Sequence, residues 1–361
     1  MEEKIFIYEG GADVRAPQGR ERVLLGMSGG IDSTYAVVKL RTLGYEPVGA
    51  VLEMSEHTDT AAARRSAEAL GVELHVVDMR EAFQKHVVEN FVSEYTRART
   101  PNPCIVCNRE VKFRGLCELA KSLGIGKICT GHYARVLKSE ETGRFYIAKG
   151  SDARKDQSYV LWRLSQEELA MLFFPLADDV KTEVKQISKE MALPSAELKE
   201  SQEICFIPSN DHTAFIEEYI GKKIPEGSFV DKDGKVLGKH KGVVRYTIGQ
   251  RKGLGISLGK QAFVTAIDPD RNTVTLGDEA ELFTKEFEID DLIFQKSEFA
   301  PGESARLLVK IRYAAPPVLC TVHFGENGAH VICDEPVRAI TPGQSAVFYD
   351  EDGVVFGGFI R

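Results

Sequence analysis

The stretch Val23-Leu24-Leu25-Gly26-Met27-Ser28-Gly29-Gly30-Ile31-Asp32-Ser33 reads as a short buried strand, a glycine-rich turn and the start of a helix. Successive glycines let the backbone curl tightly and turn several N–H groups inward. The hydroxyls of Ser28 and Ser33 and the positive end of the helix dipole complete a cradle suited to pyrophosphate. Asp32 is placed to serve magnesium, which takes one or two carboxylates plus phosphate oxygens. No Gly-Lys-Ser/Thr follows, so this is not a Walker loop. The plainer alternative is a glycine turn with no ligand.

Outward from the loop, strands and helices alternate. Val48–Leu52, Leu74–Val77 and Ile128–Thr130 read as further strands. Ser33 to Leu43 reads as a helix stopped at Gly44. Leu116, Leu119, Ala120 and Leu123 recur at helical spacing before Gly124. This is the pattern of an α/β fold with a doubly wound parallel sheet, whose ligands collect at the carboxyl ends of strands. The first 20 residues read as a loose arm. Helices are expected to continue to about residue 220, with a capping box at Ser165 and Glu168, a helix end at Pro175, and an apolar stripe of Val180, Val184, Ile187 and Met191. From about Gly221, glycine, short β-branched runs and Asp-Pro or Asp-Gly turns dominate. Phe263–Ile267 and Thr273–Leu276 flank a hairpin turn, and residues 306–313 alternate like a strand. The expected organisation is a catalytic domain over 1–220, a small β-rich middle domain over 221–283 and a C-terminal β-barrel over 284–361.

A chain of 361 residues with 43% hydrophobic content can bury two or three cores. No run is long enough to cross a bilayer, and Met1-Glu2-Glu3-Lys4 does not resemble a signal peptide, so a cytoplasmic protein with no membrane partner is expected. Seven cysteines, an odd number in a long chain, argue against a secreted disulfide framework. The net charge of −8 argues mildly against nucleic acid unless a local patch overturns it. The window Lys235 to Lys260 is such a patch: Lys235, Lys239, Lys241, Arg245, Arg251, Lys252 and Lys260, with His240 and Tyr246 among them and no acidic residue. A solvated face is the alternative.

Cys104 and Cys107 lie in Thr100-Pro101-Asn102-Pro103-Cys104-Ile105-Val106-Cys107-Asn108, with a helix expected just after. A helix N-terminus favours the reactive thiolate. A lone CxxC is ambiguous between a zinc half-site, a redox pair, cluster ligands and ordinary thiols, and no second pair completes a zinc knuckle. Cys205 falls on an expected polar loop. Cys117, Cys129, Cys320 and Cys333 fall on apolar or strand positions and read as packing thiols.

The loop at 26–33 resembles the SGGxDS loop of the PP-loop ATP pyrophosphatases, which split ATP into AMP and pyrophosphate and adenylate a substrate. Together with the segment from Pro103 to Lys112-Phe113, Thr130-Gly131-His132-Tyr133-Ala134-Arg135, Lys155-Asp156-Gln157-Ser158-Tyr159, the Cys205 segment and Ile340-Thr341-Pro342-Gly343-Gln344, it resembles the bacterial tRNA-specific 2-thiouridylases, in their order and over most of the chain. The resemblance implies ATP-dependent conversion of the 2-carbonyl of the wobble uridine of tRNAs for lysine, glutamate and glutamine to a thiocarbonyl. Adenylation turns a poor leaving group into AMP. The implied ATP-binding residues are Gly26, Met27, Ser28, Gly29, Gly30, Ile31, Asp32, Ser33, Leu52 and Gly131, with magnesium at Asp32. In a persulfide relay Cys107 matches the family's nucleophile and Cys205 the persulfide carrier, ending as a disulfide that a reductant reopens. Cys104 departs from the family, which commonly has Asp there. Three thiols could instead hold three irons of a [4Fe–4S] cluster, the fourth iron binding sulfide. The sulfur donor would be a cysteine desulfurase, a relay protein or sulfide.

The implied tRNA contacts are Asn102, Pro103 and Cys104 at the target base, His132, the segment Lys155, Asp156 and Gln157, and Arg312, Tyr313 and Gln344. A wobble base must leave its stack to be activated. Arg306, Lys310 and Arg312 are expected on one strand face, where Arg can pair with phosphate and Tyr313 stack on a base. A second departure is the short connection Glu53–Asp59 in place of a longer family segment. Two rival readings remain: another PP-loop enzyme adenylating a small molecule, and a noncatalytic RNA-binding protein, against which the intact loop counts.

Overall fold

The computed structural model describes residues 20–197 and 204–361. The expected N-terminal arm falls, but for Arg20, outside them. The chain divides into two compact units: Met1–His86 with Cys104–Gln202 and Asp352–Val354, and Val87–Pro103 with Glu203–Glu351 and Val355–Arg361.

The first unit is built on a five-stranded parallel sheet in the order Leu74–Asp78, Tyr45–Glu53, Glu21–Gly26, Ile128–Thr130, Leu172–Phe173. Val23, Leu24 and Leu25 are all fully buried. The central strand is therefore apolar without alternation, as a parallel strand covered on both faces must be. Strand order reverses between Glu21–Gly26 and Ile128–Thr130. The glycine loop leaves the carboxyl end of the former, so it occupies the switch point where such sheets bind ligands.

The helix Ile31–Thr42 is buried on nearly all sides, including Lys39 and Arg41. These charges are satisfied internally. Lys39 Nζ lies 3.2 Å from Asp179, and the Arg41 guanidinium donates to the carbonyls of Leu70 and Gly71 at 2.7 and 3.2 Å. Burial pushes the Asp179 carboxyl above its usual range, with Lys39 pulling the other way.

Two expectations need correction in this unit. The run to residue 220 is not helical throughout: Ala134–Lys138 and Phe145–Lys149 form an antiparallel hairpin. Its first strand buries only Ala134 fully and leaves Lys138 exposed, so its alternation is weak. The capping box at Ser165 and Glu168 is present, but its helix ends at Met171, ahead of Pro175. Leu172 and Phe173 are taken instead as the edge strand beside Ile128 and Cys129.

The second unit holds the expected β-rich modules. A four-stranded sheet runs Phe263–Asp268, Thr273–Gly277, Gly227–Val230, Val236–His240. The hairpin turn is set by Asp268, whose carboxylate accepts from the N–H groups of Asp270 and Arg271, both at 3.0 Å, with Asn272 at φ +51°. Six strands, Phe283–Phe294, Gly328–Arg338, Val318–Gly325, Ser304–Lys310, Ser345–Tyr349 and Val354–Ile360, close into a barrel in that order. Phe348 and Phe356 stack at 4.2 Å in its core. Cys320 and Cys333 face each other across adjacent strands in that core, where burial pushes their thiols up to about 12 and about 11. Cys117, at about 12, and Cys129 are raised for the same reason. All four are packing thiols.

Candidate active site

The loop geometry follows from two close approaches. Gly29 has φ +79°, and a Cβ there would lie 2.5 Å from the Ala62 carbonyl carbon and the Ala63 nitrogen. Only glycine lets the turn rest on the helix Thr60–Ala69. Gly131, past the end of the fourth strand, does the same from the other side: its Cβ would lie 2.9 Å from Asp32 Cβ and 3.0 Å from the Asp32 carbonyl carbon. Ser28 Oγ and Ser33 Oγ are 3.2 Å apart, and Ser33 Oγ donates to the Gly30 carbonyl at 3.1 Å. Met27 is buried against the sheet, its N–H donating to Ala50 at 2.7 Å. Ile31 and Leu52 are buried as well, Leu52 at the carboxyl end of its strand.

Asp32 is held by residues to which the sequence reading gave no role. Lys181 Nζ lies 2.5 and 2.6 Å from its two carboxylate oxygens, and the Tyr133 hydroxyl donates to Oδ1 at 2.7 Å. Tyr133 sits within a quoted motif. Lys181 opens the helix Lys181–Glu190, 149 residues from Asp32, and nothing local marks it.

His132 packs between the rings of Phe113 and Phe174, at 5.8 and 5.7 Å, and its Nδ1 lies 2.5 Å from Thr130 Oγ1. Burial, with the nearby Lys112 ammonium, holds its pKa well below the usual histidine range. It is neutral at pH 7 and offers a hydrogen bond rather than a charge. Lys112 in turn donates to Asn108 Oδ1 at 2.9 Å, and Asn108 Nδ2 donates to the Val160 carbonyl at 2.9 Å.

The cysteine helix begins at Pro103, so both thiols lie within it rather than ahead of it. Proline at the first helical position was the available signal. Cys104 is exposed and Cys107 buried. A π-turn, Asn108–Phe113, follows directly, an irregularity frequent at functional sites. The short connection after Leu52 bears on this helix. Thr58 Oγ1 accepts from the N–H groups of Met54 and Ser55, both at 3.0 Å, and Asp59 caps the next helix at Ala62. The resulting turn places Met54 Sδ 3.6 Å from Cys107 Sγ. Among the described residues, no three His, Cys, Asp or Glu side chains form a group that could hold a metal.

In the segment 155–157, Gln157 exchanges hydrogen bonds with Tyr133: its Oε1 accepts from the Tyr133 N–H at 2.9 Å, and its own N–H donates to the Tyr133 carbonyl at 3.0 Å. Asp156 accepts from the Ser158 N–H and hydroxyl. Lys155 lies in the turn between them and Asp152, to whose carbonyl its N–H donates.

Cys205 belongs to the second unit and is exposed. Beside it Phe206 is buried, edge-on to both Phe91 and Phe215, at 5.3 and 5.4 Å. In the same unit Gln344 Nε2 donates to the Thr100 carbonyl at 2.8 Å, and the Thr100 N–H donates to Pro342 at 2.8 Å. These bonds fix the chain leading to Asn102 and Pro103. Arg312 lies past the strand Ser304–Lys310, so it does not share a strand face with Arg306 and Lys310. Its guanidinium donates to the carbonyls of Ile248 and Ala339, both at 3.1 Å, and to Thr341 Oγ1 at 2.5 Å. Arg306 makes a two-point ion pair with Asp334. Tyr313 is exposed. In the basic window, Lys235, Lys239, Lys241, Arg251, Lys252 and Lys260 are exposed. His240 and Tyr246 are not part of that surface: both are buried against Phe229, and His240 Nε2–H donates to the Asn272 carbonyl.

A glycine loop at the switch point of a parallel α/β sheet, joined in one chain to a β module and a closed barrel, defines a nucleotide-handling protein of the HUP class with two appended β domains. Three family models match in sequence: "tRNA methyl transferase HUP domain" over residues 21–209, "tRNA methyl transferase PRC-barrel domain" over 213–278 and "Aminomethyltransferase beta-barrel domain" over 284–360. The chain is 42% identical to the tRNA-specific 2-thiouridylase MnmA of Clostridioides difficile, covering 94% of this chain and 98% of that protein. It is 43% identical to the MnmA of Moorella thermoacetica, covering 94% and 99%. The chain belongs to the tRNA-specific 2-thiouridylase family. Among solved structures, a 4-thiouridine synthetase–RNA complex with bound ATP is similar at 19% identity and a TM-score of 0.34, over 50% of this chain and 43% of that one. An NMN synthetase from Francisella tularensis is similar at 15% and 0.33, over 57% and 80%. Likeness at that level says nothing of activity.

Proposed function

We propose that the protein is an ATP-dependent tRNA 2-thiouridylase, converting the 2-carbonyl of the wobble uridine in tRNAs for lysine, glutamate and glutamine to a thiocarbonyl with release of AMP and pyrophosphate. The observation that carries this reading is the pairing of a phosphate-cradling loop with a cysteine-bearing helix in one compact unit. The relatives' name supports it.

In this reading Gly26–Ser33 bind the phosphates, while Leu52 and Gly131 border the nucleotide. The uridine O2 attacks the α-phosphorus and pyrophosphate leaves. Asp32 is part-exposed at the loop, with oxygen lone pairs of the kind magnesium takes, so it fits a metal that also binds phosphate oxygens. Bound there, magnesium would neutralise the charge developing on pyrophosphate. Cys205, itself exposed, carries the persulfide: its thiolate attacks the outer sulfur of a persulfide on a desulfurase or relay protein, whose thiolate leaves. Its terminal sulfur attacks C2 and AMP departs with the former uridine oxygen. The Cys107 thiolate then attacks the inner Cys205 sulfur. The S–S bond breaks toward the base, leaving the thiocarbonyl and a Cys107–Cys205 disulfide for a reductant to reopen. That disulfide calls for the two Cα atoms to come within roughly 7 Å.

A [4Fe–4S] site calls instead for Cys104, Cys107 and Cys205 to converge. In the relay Cys104 lines the base pocket beside Asn102 and Pro103. The further tRNA contacts in this reading are His132, Lys155, Asp156, Gln157, Tyr313 and the exposed basic window, with Arg312 and Gln344 bracing them. The functional regions are 1–220 for chemistry, and 221–283 and 284–361 for tRNA, in a cytoplasmic enzyme. Thiolation of tRNA with ATP and either sulfide or a persulfide donor, read by nucleoside chromatography beside AMP release, tests the reading. Thiolated wobble uridine without AMP would sink it.

A further inference from the structure

The ion pair of Asp32 and Lys181 joins the phosphate loop to a distant helix. Several interactions draw that helix start inward. Asp179 pairs with the buried Lys39 at 3.2 Å. The Lys181 N–H, in a first turn that Val180 leaves without a side-chain cap, donates to the Asp152 carboxylate at 3.1 Å. The Lys181 side chain, 5% exposed, then ends on both oxygens of Asp32 and lies 5.6 Å from the Tyr133 ring centroid. A buried ammonium in so fixed a place is expensive unless a carboxylate answers it.

Magnesium at Asp32 would sit about 2.1 Å from a carboxylate oxygen. The ammonium already lies 2.5 and 2.6 Å from both oxygens. Two cations at that spacing repel strongly in a partly desolvated site. We propose that Lys181 is a positioning residue, the resident counter-ion of Asp32, and that it yields the carboxylate to magnesium when nucleotide enters. On its four-carbon stem the released ammonium reaches for the incoming phosphates. Before release it keeps a bare carboxylate from facing the triphosphate. This rests on the reading of Asp32 as a magnesium ligand.

The test is the magnesium concentration giving half-maximal binding of a non-hydrolysable ATP analogue, measured by titration calorimetry on the full chain. Lys181→Met removes the competitor, so the required magnesium falls by about tenfold, the low end of coupling between close charges, while metal-free analogue binds more weakly. Lys181→Arg keeps the charge and restores wild-type behaviour. Lys181→Gln, which can still hydrogen-bond Asp32, serves if the methionine variant does not fold. An unchanged or higher magnesium requirement in the neutral variants overturns the proposal. Asp32→Asn separates the two ideas: it raises the requirement if Asp32 binds magnesium, and leaves it unchanged if that reading itself is wrong.

Discussion

Gly131→Ala isolates the contact between the phosphate loop and the end of the fourth strand. The added Cβ meets Asp32 Cβ at 2.9 Å, the Asp32 carbonyl carbon at 3.0 Å and the Ser33 nitrogen at 3.1 Å. Ordinary carbon contacts begin near 3.5 Å, so something must move by about half an ångström. Two of the three atoms are backbone and cannot rotate away. Gly131 is not among the positive-φ glycines, so alanine fits the local backbone and gains about 0.4–1 kcal/mol through the unfolded chain. Overpacking costs about 1–3 kcal/mol. The net loss of stability is therefore at most about 2.5 kcal/mol. The displacement falls on Asp32 and Ser33, so nucleotide binding suffers more directly, by about tenfold to a hundredfold, or about 1.4–2.7 kcal/mol. Calorimetric titration with an ATP analogue, beside a thermal melt, reads both. A folded variant binding nucleotide within about twofold of wild type would refute the claim that Gly131 braces the loop.

Other outcomes are expected on the same grounds. Arg312→Ala removes the donor to the Ile248 carbonyl and the Thr341 hydroxyl, while the Ala339 carbonyl keeps the Thr341 hydroxyl, so stability should fall by about 1–3 kcal/mol; an unchanged denaturant midpoint would mean that Arg312 serves RNA alone. Burial lowers the pKa of both His132 and His240. Below about pH 6.5 the unfolded chain binds protons that the folded one refuses, so stability falls as pH drops and is flat above it. His132→Gln should lessen the fall in melting temperature between pH 7.5 and 5.5, and an identical fall would contradict the pKa assignment. Exchanging Lys239, Lys241, Arg251 and Lys252 for Gln should reduce the steepness with which salt weakens tRNA binding; the same slope would remove the window from the interface.

The legible parts of the fold were those fixed locally. Val23–Leu25 betrayed a central strand because three successive apolar residues suit a strand covered on both faces. Ser165 and Glu168 marked a helix start because the capping box closes within four residues. The parts that stayed hidden are set by distant contacts. Leu172 and Phe173 become a strand only because Ile128 and Cys129 offer an edge. Nothing near Lys181 in sequence marks it, yet it is buried on Asp32. Arg312 reads as a free cation, yet carbonyls from two separate segments receive it. The local geometry of the candidate site was legible in the contiguous loop 26–33, and illegible where a single side chain arrives from a remote helix.

The central claim is that ATP turns the uridine oxygen into a leaving group for sulfur. An anticodon stem-loop bearing oxygen-18 at C2 of the wobble uridine tests this most directly, with the AMP released during thiolation analysed by mass spectrometry. AMP carrying the heavy oxygen, one for each thiouridine formed, is the expected result. Thiolated RNA beside unlabelled AMP would contradict it.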